Sequence, residues 1–315
     1  MSDGAPEAGP GLHAALVGLL DRLEEAGYHF VTPTPATHRT VAERRDRATP
    51  GDLRDIFGWS RPFAAGDLPG ELFDLLRRAR ALDTAGDLFR SALRVSTLDG
   101  RLHLHSAPGS AKDAVFLGPD SYRFVRFLAQ ALPGATPRRV LDIGVGPGAG
   151  ALALAARHPG AEVVGVDVNP AALGLLRANA THQGLDVAGL LGPGLDTVAG
   201  RFDLIVANPP YIADPDGRTY RDGGDGLGVA LGLSWVEAGV QRLAPGGRMM
   251  LYTGSPIRDG RDPVQDRLRA LADERGLDLD YSEIDPDVFG GMLRRDAYRE
   301  VERIAAIGAV LARRA

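Results

Sequence analysis

Three stretches of the chain place glycine or polar residues where apolar runs end. In Val140–Gly150, VLDIGVGPGAG, an apolar run closes on Asp142-Ile143, and Gly144, Gly146 and Gly148 follow at alternate positions ahead of the helix-like ALALAARH. A strand that feeds a helix through glycines lets backbone approach a ligand closely and aims helix N-terminal N–H groups at it. The second stretch, AEVVGVD, ends in Asp167, an acid placed to accept hydrogen bonds from two ribose hydroxyls or to cap the next helix. The third, FDLIVA, runs directly into Asn208-Pro209-Pro210-Tyr211. The loop alone leaves its ligand open. Gly144-x-Gly146-x-x-Ala149 also fits the alanine variant of the dinucleotide fingerprint, with Asp167 close to the expected ~20 residues further on.

Asn-Pro-Pro-Tyr directly after the fourth strand of such a sheet resembles the active-site motif of class I S-adenosylmethionine (SAM) methyltransferases that act on planar nitrogens. The region from about Phe116 to the C-terminus is most similar to the protein-glutamine N5-methyltransferase group. The resemblance implies SAM as cofactor, held by Asp142, Gly144, Gly146, Gly148, Asp167 and Asn169, with Asn208 at the methyl end. In the relatives an acid follows the glycine after the third strand and holds the adenine amino group. Here Gly192 is followed by Pro193, so Asp196 or a backbone amide is expected to take that place. In the same family a Pro-acid-Ser/Thr segment closes over the cofactor and borders the substrate. That implies substrate roles for Asp120 and Tyr122 in Gly118-Pro119-Asp120-Ser121-Tyr122, with a helix cap as the plainer role. The polar loop after Tyr211 lies where relatives carry a substrate lid, which puts Tyr220, Arg221 and Asp222 near the acceptor.

The motif has a chemical reason. The lone pair of an amide or aromatic amine is delocalised, so the nitrogen is a poor nucleophile while planar. An Asn208 side-chain oxygen and the Pro209 carbonyl can each accept one N–H of a planar –NH2, turning the lone pair toward the methyl donor and stabilising positive charge on nitrogen. Pro209 and Pro210 fix the backbone, since φ is locked and no N–H competes, and Tyr211 is expected to stack on the acceptor's planar group.

Composition bounds the rest. The 315 residues are 44% hydrophobic, contain no cysteine, and carry a net charge of −5. That removes disulfides, thiol catalysis and cysteine metal ligands, and gives no general attraction to a phosphate backbone. Lys112 is the sole lysine; every other base is arginine. No run reaches the ~20 apolar residues of a membrane helix, and the N-terminus lacks a secretory pattern, so a cytoplasmic location is expected.

The elements that must position these residues read as follows. Residues 1–10 are a Gly/Pro/Ala-rich tail. Leu12, Leu16, Leu19, Leu20 and Leu23 mark an amphipathic helix ended by Gly27, and two more helices are expected over 37–48 and 70–82. Between those two, the aromatics of Ile56–Phe63 read as a packed elbow. LRVSTLDGRLHLHS, centred on Asp99-Gly100, is a hairpin. His103 and His105 share a face of it, and with no third ligand at readable spacing no metal site is expected. Residues 11–106 thus form a helical and hairpin domain, winged-helix-like and unmatched by the family, that is expected to select the substrate and be dispensable for cofactor binding. Residues 107–315 alternate strands and helices: an α/β, doubly wound, Rossmann-like sheet of seven strands. The resemblance adds that the last strand is antiparallel.

The leading function is therefore methyl transfer from SAM to a planar nitrogen of a small molecule or a protein side chain. An rRNA or DNA base amine is the alternative that the acidic balance disfavours. A SAM-sensing winged-helix DNA binder would have no need of Asn208–Tyr211, and a dehydrogenase would need a His or Lys/Tyr pair that is not evident.

Overall fold

The computed structural model describes residues 10–44, 50–109, 113–132, 134, 136–212 and 223–314. Helix α1 (Pro10–Glu25) begins at the last residue of the expected tail, and residues 1–9 lie outside the description. Its leucines fall at three- and four-residue steps, so Leu16, Leu19, Leu20 and Leu23 all turn inward and are buried. α2 (Pro35–Arg44), α3 (Leu53–Phe57) and α4 (Gly70–Arg78) follow. The elbow is a packed one: Phe57 and Phe63 are fully buried, and Phe30 meets Trp59 edge-on at 5.2 Å. Two hairpins complete this part, β1 (Leu82–Ala85) with β2 (Leu88–Ser91), and β3 (Leu93–Leu98) with β4 (Arg101–Ser106). Asp99 and Gly100 both adopt positive φ, as a two-residue turn matched to strand twist requires.

The remainder is one seven-stranded sheet built from β5 (Arg139–Ile143), β6 (Glu162–Asp167), β7 (Ala188–Leu191), β8 (Phe202–Ala207), β9 (Leu243–Ile257), β10 (Leu277–Asp285) and β11 (Arg303–Arg313). Its spatial order is β7-β6-β5-β8-β9-β11-β10. The five strands from β7 to β9 are parallel, and β11 runs antiparallel to both its neighbours. α5 (Pro119–Ala131), α6 (Ala149–Arg157) and α7 (Pro170–Gln183) cover one face. α9 (Ala230–Gln241), after a single broken turn α8 (Asp225–Gly228), and α10 (Pro263–Arg275) cover the other. Both faces being covered explains the nearly continuous apolar runs of β5, β8 and β11.

The chain leaves β5 toward β6 and β7, then returns to the far side of β5 as β8. The order reverses between β5 and β8. In an open α/β sheet the crevice at the carboxyl ends of those two strands is where ligands bind. The glycine loop leaves β5 there, and Asn208 leaves β8 beside it.

The N-terminal part is not a separate body. Ala172, Leu175 and Ala178 of α7 lie in the same hydrophobic cluster as the α1 leucines, Phe57, Phe63, Val95 and Leu104. On the other side of the hairpin, Leu98 packs with Leu117, Val125, Ala149 and Ala153.

Candidate active site

The glycine loop is fixed by both strand ends. The Gly144 and Val145 N–H groups donate to the Val166 carbonyl at 2.8 and 3.0 Å, and the Gly146 N–H donates to Asp167 Oδ2 at 2.9 Å. Gly144, Gly146 and Gly148 all have positive φ (70°, 54° and 97°). At Gly144 a Cβ would also strike the Trp235 ring, at 2.8 Å. At Gly146 it would meet nothing nearer than 4.0 Å, so this is the point where backbone faces the open crevice. Trp235, on α9, carried no signal in the sequence because it falls in an ordinary helical run; it floors the space between the loops after β5 and β7.

Asp142 is buried, and its Oδ2 accepts the Ala151 N–H at 2.8 Å, which anchors the start of α6. Burial pushes its carboxyl up to about 7, the Ala151 bond opposing and Asp167 adding to the shift. Asp167 is half-buried at the end of β6 and accepts the Asn169 N–H on its other oxygen at 2.9 Å. Each carboxylate oxygen has taken one backbone donor, which leaves a lone pair on each for ligand hydroxyls. Desolvation raises this carboxyl too, and the backbone donors of Asn169 and Gly146 work against it.

Asn169 serves a different end from the ribose edge. Its Oδ1 caps α7 through the Ala171 N–H, and its Nδ2 donates to the Asp113 carbonyl, so both side-chain polar atoms are engaged. Asp196 is exposed on the short 3-10 turn after Gly194. The hydroxyl nearest Gly192 belongs to Thr197: it is buried and unpartnered, and a Cβ on Gly192 would fall 2.0 Å from it.

Large apolar side chains that would ordinarily be covered stand exposed along this end of the sheet: Val168 at 51%, just past the end of β6, Leu191 at 47%, paired with Asp167 at the end of β7, and Phe116 at 42%. The Phe116 carbonyl is the nearest atom to the open side of Gly146. Exposed apolar walls next to an acid with two free lone pairs fit a flat base attached to a ribose.

On the β8 side Asn208 is half-buried, and its side-chain amide has no hydrogen-bond partner among the described residues. Pro209 is buried against Gly232 of α9. The Gly223–Gly228 segment seats on this backbone: Gly223 N–H donates to the Ile212 carbonyl at 3.0 Å, and a Cβ at Gly228 would fall 2.5–2.7 Å from the Tyr211–Ile212 backbone. Tyr220, Arg221 and Asp222 lie outside the described residues.

Tyr211 departs from its expected role. It is 7% exposed, its ring presses on the Gly254 backbone, and it meets Tyr252 and Phe289 edge-on at 6.4 and 5.7 Å. A ring so engaged braces the motif from behind and has no free face for an acceptor. Asp120 and Tyr122 are likewise turned from the crevice. Asp120 is 4% exposed, accepts from the Tyr252 hydroxyl at 2.9 Å, and is joined through Arg123 to Asp285; burial raises its carboxyl. The Tyr122 hydroxyl accepts the Thr32 N–H at 3.1 Å, tying α5 to the N-terminal part.

Asn179 of α7 was also hidden in the sequence. It is fully buried, its Oδ1 accepts the Leu104 N–H at 2.8 Å, and its Nδ2 donates to the carbonyls of Leu104 (3.1 Å) and Pro147 (2.8 Å). One side chain thus joins the β4 hairpin to the glycine loop.

A parallel sheet closed by an antiparallel hairpin, with a glycine loop and an acid at its switch point, defines a Rossmann-like α/β domain. Residues 123–257 match the family described as Methyltransferase small domain. The release factor glutamine methyltransferase of Deinococcus radiodurans is 41% identical over 145 residues, 42% of this chain and 51% of that protein. The one from Bordetella pertussis is 34% identical over 156 residues, 45% and 57% of the two chains. The chain thus spans about half the length of these curated relatives. Among solved structures, a Pyrococcus horikoshii protein described as a transferase aligns with a TM-score of 0.50 at 11% identity, covering 88% of this chain and all of that one; the likeness is one of fold.

Proposed function

We propose that this protein transfers a methyl group from SAM to a planar nitrogen, and that the acceptor is the side-chain amide of a protein glutamine. The observation that carries the reading is Asn208: a half-buried amide with no partner among the described residues, placed at the switch point beside the glycine loop and followed directly by Pro209 and Pro210. The sulfonium of SAM supplies an electrophilic methyl, so the protein's task is placement. Asp167 and the Gly146 backbone hold the ribose end, with Val168, Leu191 and Phe116 as walls for the base. Asn208 Oδ1 and the Pro209 carbonyl accept the two N–H groups of the acceptor and orient its lone pair. After transfer the nitrogen sheds a proton to water, since the motif contains no carboxylate or histidine. The names of the relatives favour a protein amide over a small molecule or a nucleobase, and selection of that protein is assigned to residues 11–106, which lie outside the family match.

The test is incubation with methyl-labelled SAM and a bacterial release factor, with mass spectrometry and NMR of the product. Methyl on a glutamine amide nitrogen supports the proposal; methyl on oxygen, sulfur or carbon overturns it. Asn208→Ala is expected to lower kcat by about 10²–10³, as loss of one preorganised polar group from a transition-state clamp does, with little change in SAM affinity.

A further inference from the structure

Outside the crevice, one buried cation has no counter-charge among the described residues: Arg94. The β3–β4 register sets Arg94 opposite His105 and Ser96 opposite His103, so these four share one face of the hairpin. All four are buried. Ser96, His105 and Thr32 satisfy one another: Thr32 Oγ1 and His105 Nε2 lie 2.5 and 2.8 Å from Ser96 Oγ. Arg94 is different. It is 4% exposed, its Nε has no partner, its Nη2 reaches only the Ser60 hydroxyl at 3.5 Å, and its guanidinium lies 6.0 Å from the Phe30 ring centre.

The titratable groups that face Arg94 come from four segments, and none supplies a negative charge. They are the phenols of Tyr28 and Tyr122 and the imidazoles of His38 and His105. Burial raises both phenols and lowers both imidazoles, so all four are neutral at pH 7. Burial brings the guanidinium down to about 10, with Tyr28 and Tyr122 opposing the shift, and this still leaves it charged. No carboxylate among the described residues forms an ion pair with it.

A guanidinium removed from water without a partner is costly, and the usual remedy is a carboxylate or phosphate on its planar fork. The under-used edge here is Nε, which has no partner, with Nη2, whose one contact is the 3.5 Å bond to Ser60; the two are parallel donors that match the two oxygens of a carboxylate. Ser60, held at a φ of 55° by the aromatic elbow, turns its hydroxyl to the same corner, and Phe30 and Trp59 form an apolar wall beside it. α2, which contributes His38 here through a 3.0 Å contact with the Trp59 carbonyl, buries none of its residues, so the cover over this corner is cheaply displaced.

We propose that Arg94 is the receptor for a ligand carboxylate, bound bidentately in the seam where the β3–β4 hairpin and the Tyr28–Thr32 segment meet α5. The assignment does not depend on methyl transfer and is tested without it. Full-length protein is titrated with sodium acetate and with inorganic phosphate, against sodium chloride at matched ionic strength. The readouts are the Nε–Hε NMR signal of Arg94 and the melting temperature. Acetate should shift the Arg94 signal saturably and raise the melting temperature above the chloride control. Arg94→Met should lose that response and, in chloride, melt at or above the wild-type temperature, because an uncompensated charge has been replaced by an apolar chain of similar length. Arg94→Lys, which keeps the charge without the fork, should weaken the acetate response at least tenfold. An Arg94→Met protein that melts well below wild type in chloride would mean the guanidinium is satisfied within the fold and would overturn the proposal. So would an acetate response equal in all three proteins, or a phosphate response that exceeds acetate's.

Discussion

At the scale of single residues, the acids at the strand ends act on backbone before they act on any ligand. Asp167 holds two N–H groups, one of them in the glycine loop, so its loss removes ligand contacts and loosens the loop together. Asp167→Ala is expected to weaken S-adenosylhomocysteine binding by about 1.5–3 kcal/mol, the scale of charge-assisted hydrogen bonds; unchanged affinity by calorimetry would remove Asp167 from the site. Asp142 gives a pH signature instead. Its carboxyl stands near 7 in the folded chain and near 4 when unfolded, so the folded state binds the extra proton between those values. Stability should therefore be greatest below pH 4 as far as this group is concerned, and should fall as pH rises through 7. Asp142→Asn keeps an oxygen for the Ala151 N–H and cannot ionise. The difference in unfolding free energy between the two proteins should move in the variant's favour from pH 4 to pH 7. A difference independent of pH over that range would show that Asp142 titrates normally.

At the scale of elements, the strands around the switch point were legible because each is an apolar run ended by a glycine or a polar residue. β5, β6, β8 and their helices lie where the periodicity places them. The β1–β2 hairpin is not legible in the sequence, since LDTAGDLFRS continues an arginine-rich helical stretch and its Ala85-Gly86-Asp87 turn is a weak signal. Contacts made across elements were invisible for a general reason. Asn179 looks like any polar residue in a helix, and Tyr211 looks like a free aromatic, until the fold shows what each faces. Asn179 supports a prediction about its helix. Asn179→Leu leaves the Leu104 N–H and the Pro147 carbonyl without their partners, each at about 1–3 kcal/mol, and frees the loop. Affinity for S-adenosylhomocysteine should fall about tenfold or more. Leu20→Ala, a cavity in the α1 contact with a cost of roughly 2–5 kcal/mol, should lower stability without changing affinity. Equal losses of affinity in both variants would reduce Asn179 to a general stabilising role.

At the scale of the whole molecule, the expectation that residues 1–105 could be removed with cofactor binding intact meets a shared core. The helix that carries Asn169 at its start and Asn179 in its last turns presents Ala172, Leu175 and Ala178 to α1, and His182 Nδ1 lies 2.8 Å from Asp21 across the same contact. Removing the N-terminal part would expose that apolar stripe and release Asn179 from β4, so the truncated chain should bind S-adenosylhomocysteine poorly. The intact protein should unfold as one unit. Scanning calorimetry is expected to show a single transition whose calorimetric and van 't Hoff enthalpies agree. Saturating S-adenosylhomocysteine should then move the entire transition upward, since a ligand bound only by the native state stabilises everything that unfolds with its site. Two resolved transitions, only one of them shifted by the ligand, would show that the halves fold independently, and coupling of the hairpin to the glycine loop through Asn179 would then have to be abandoned.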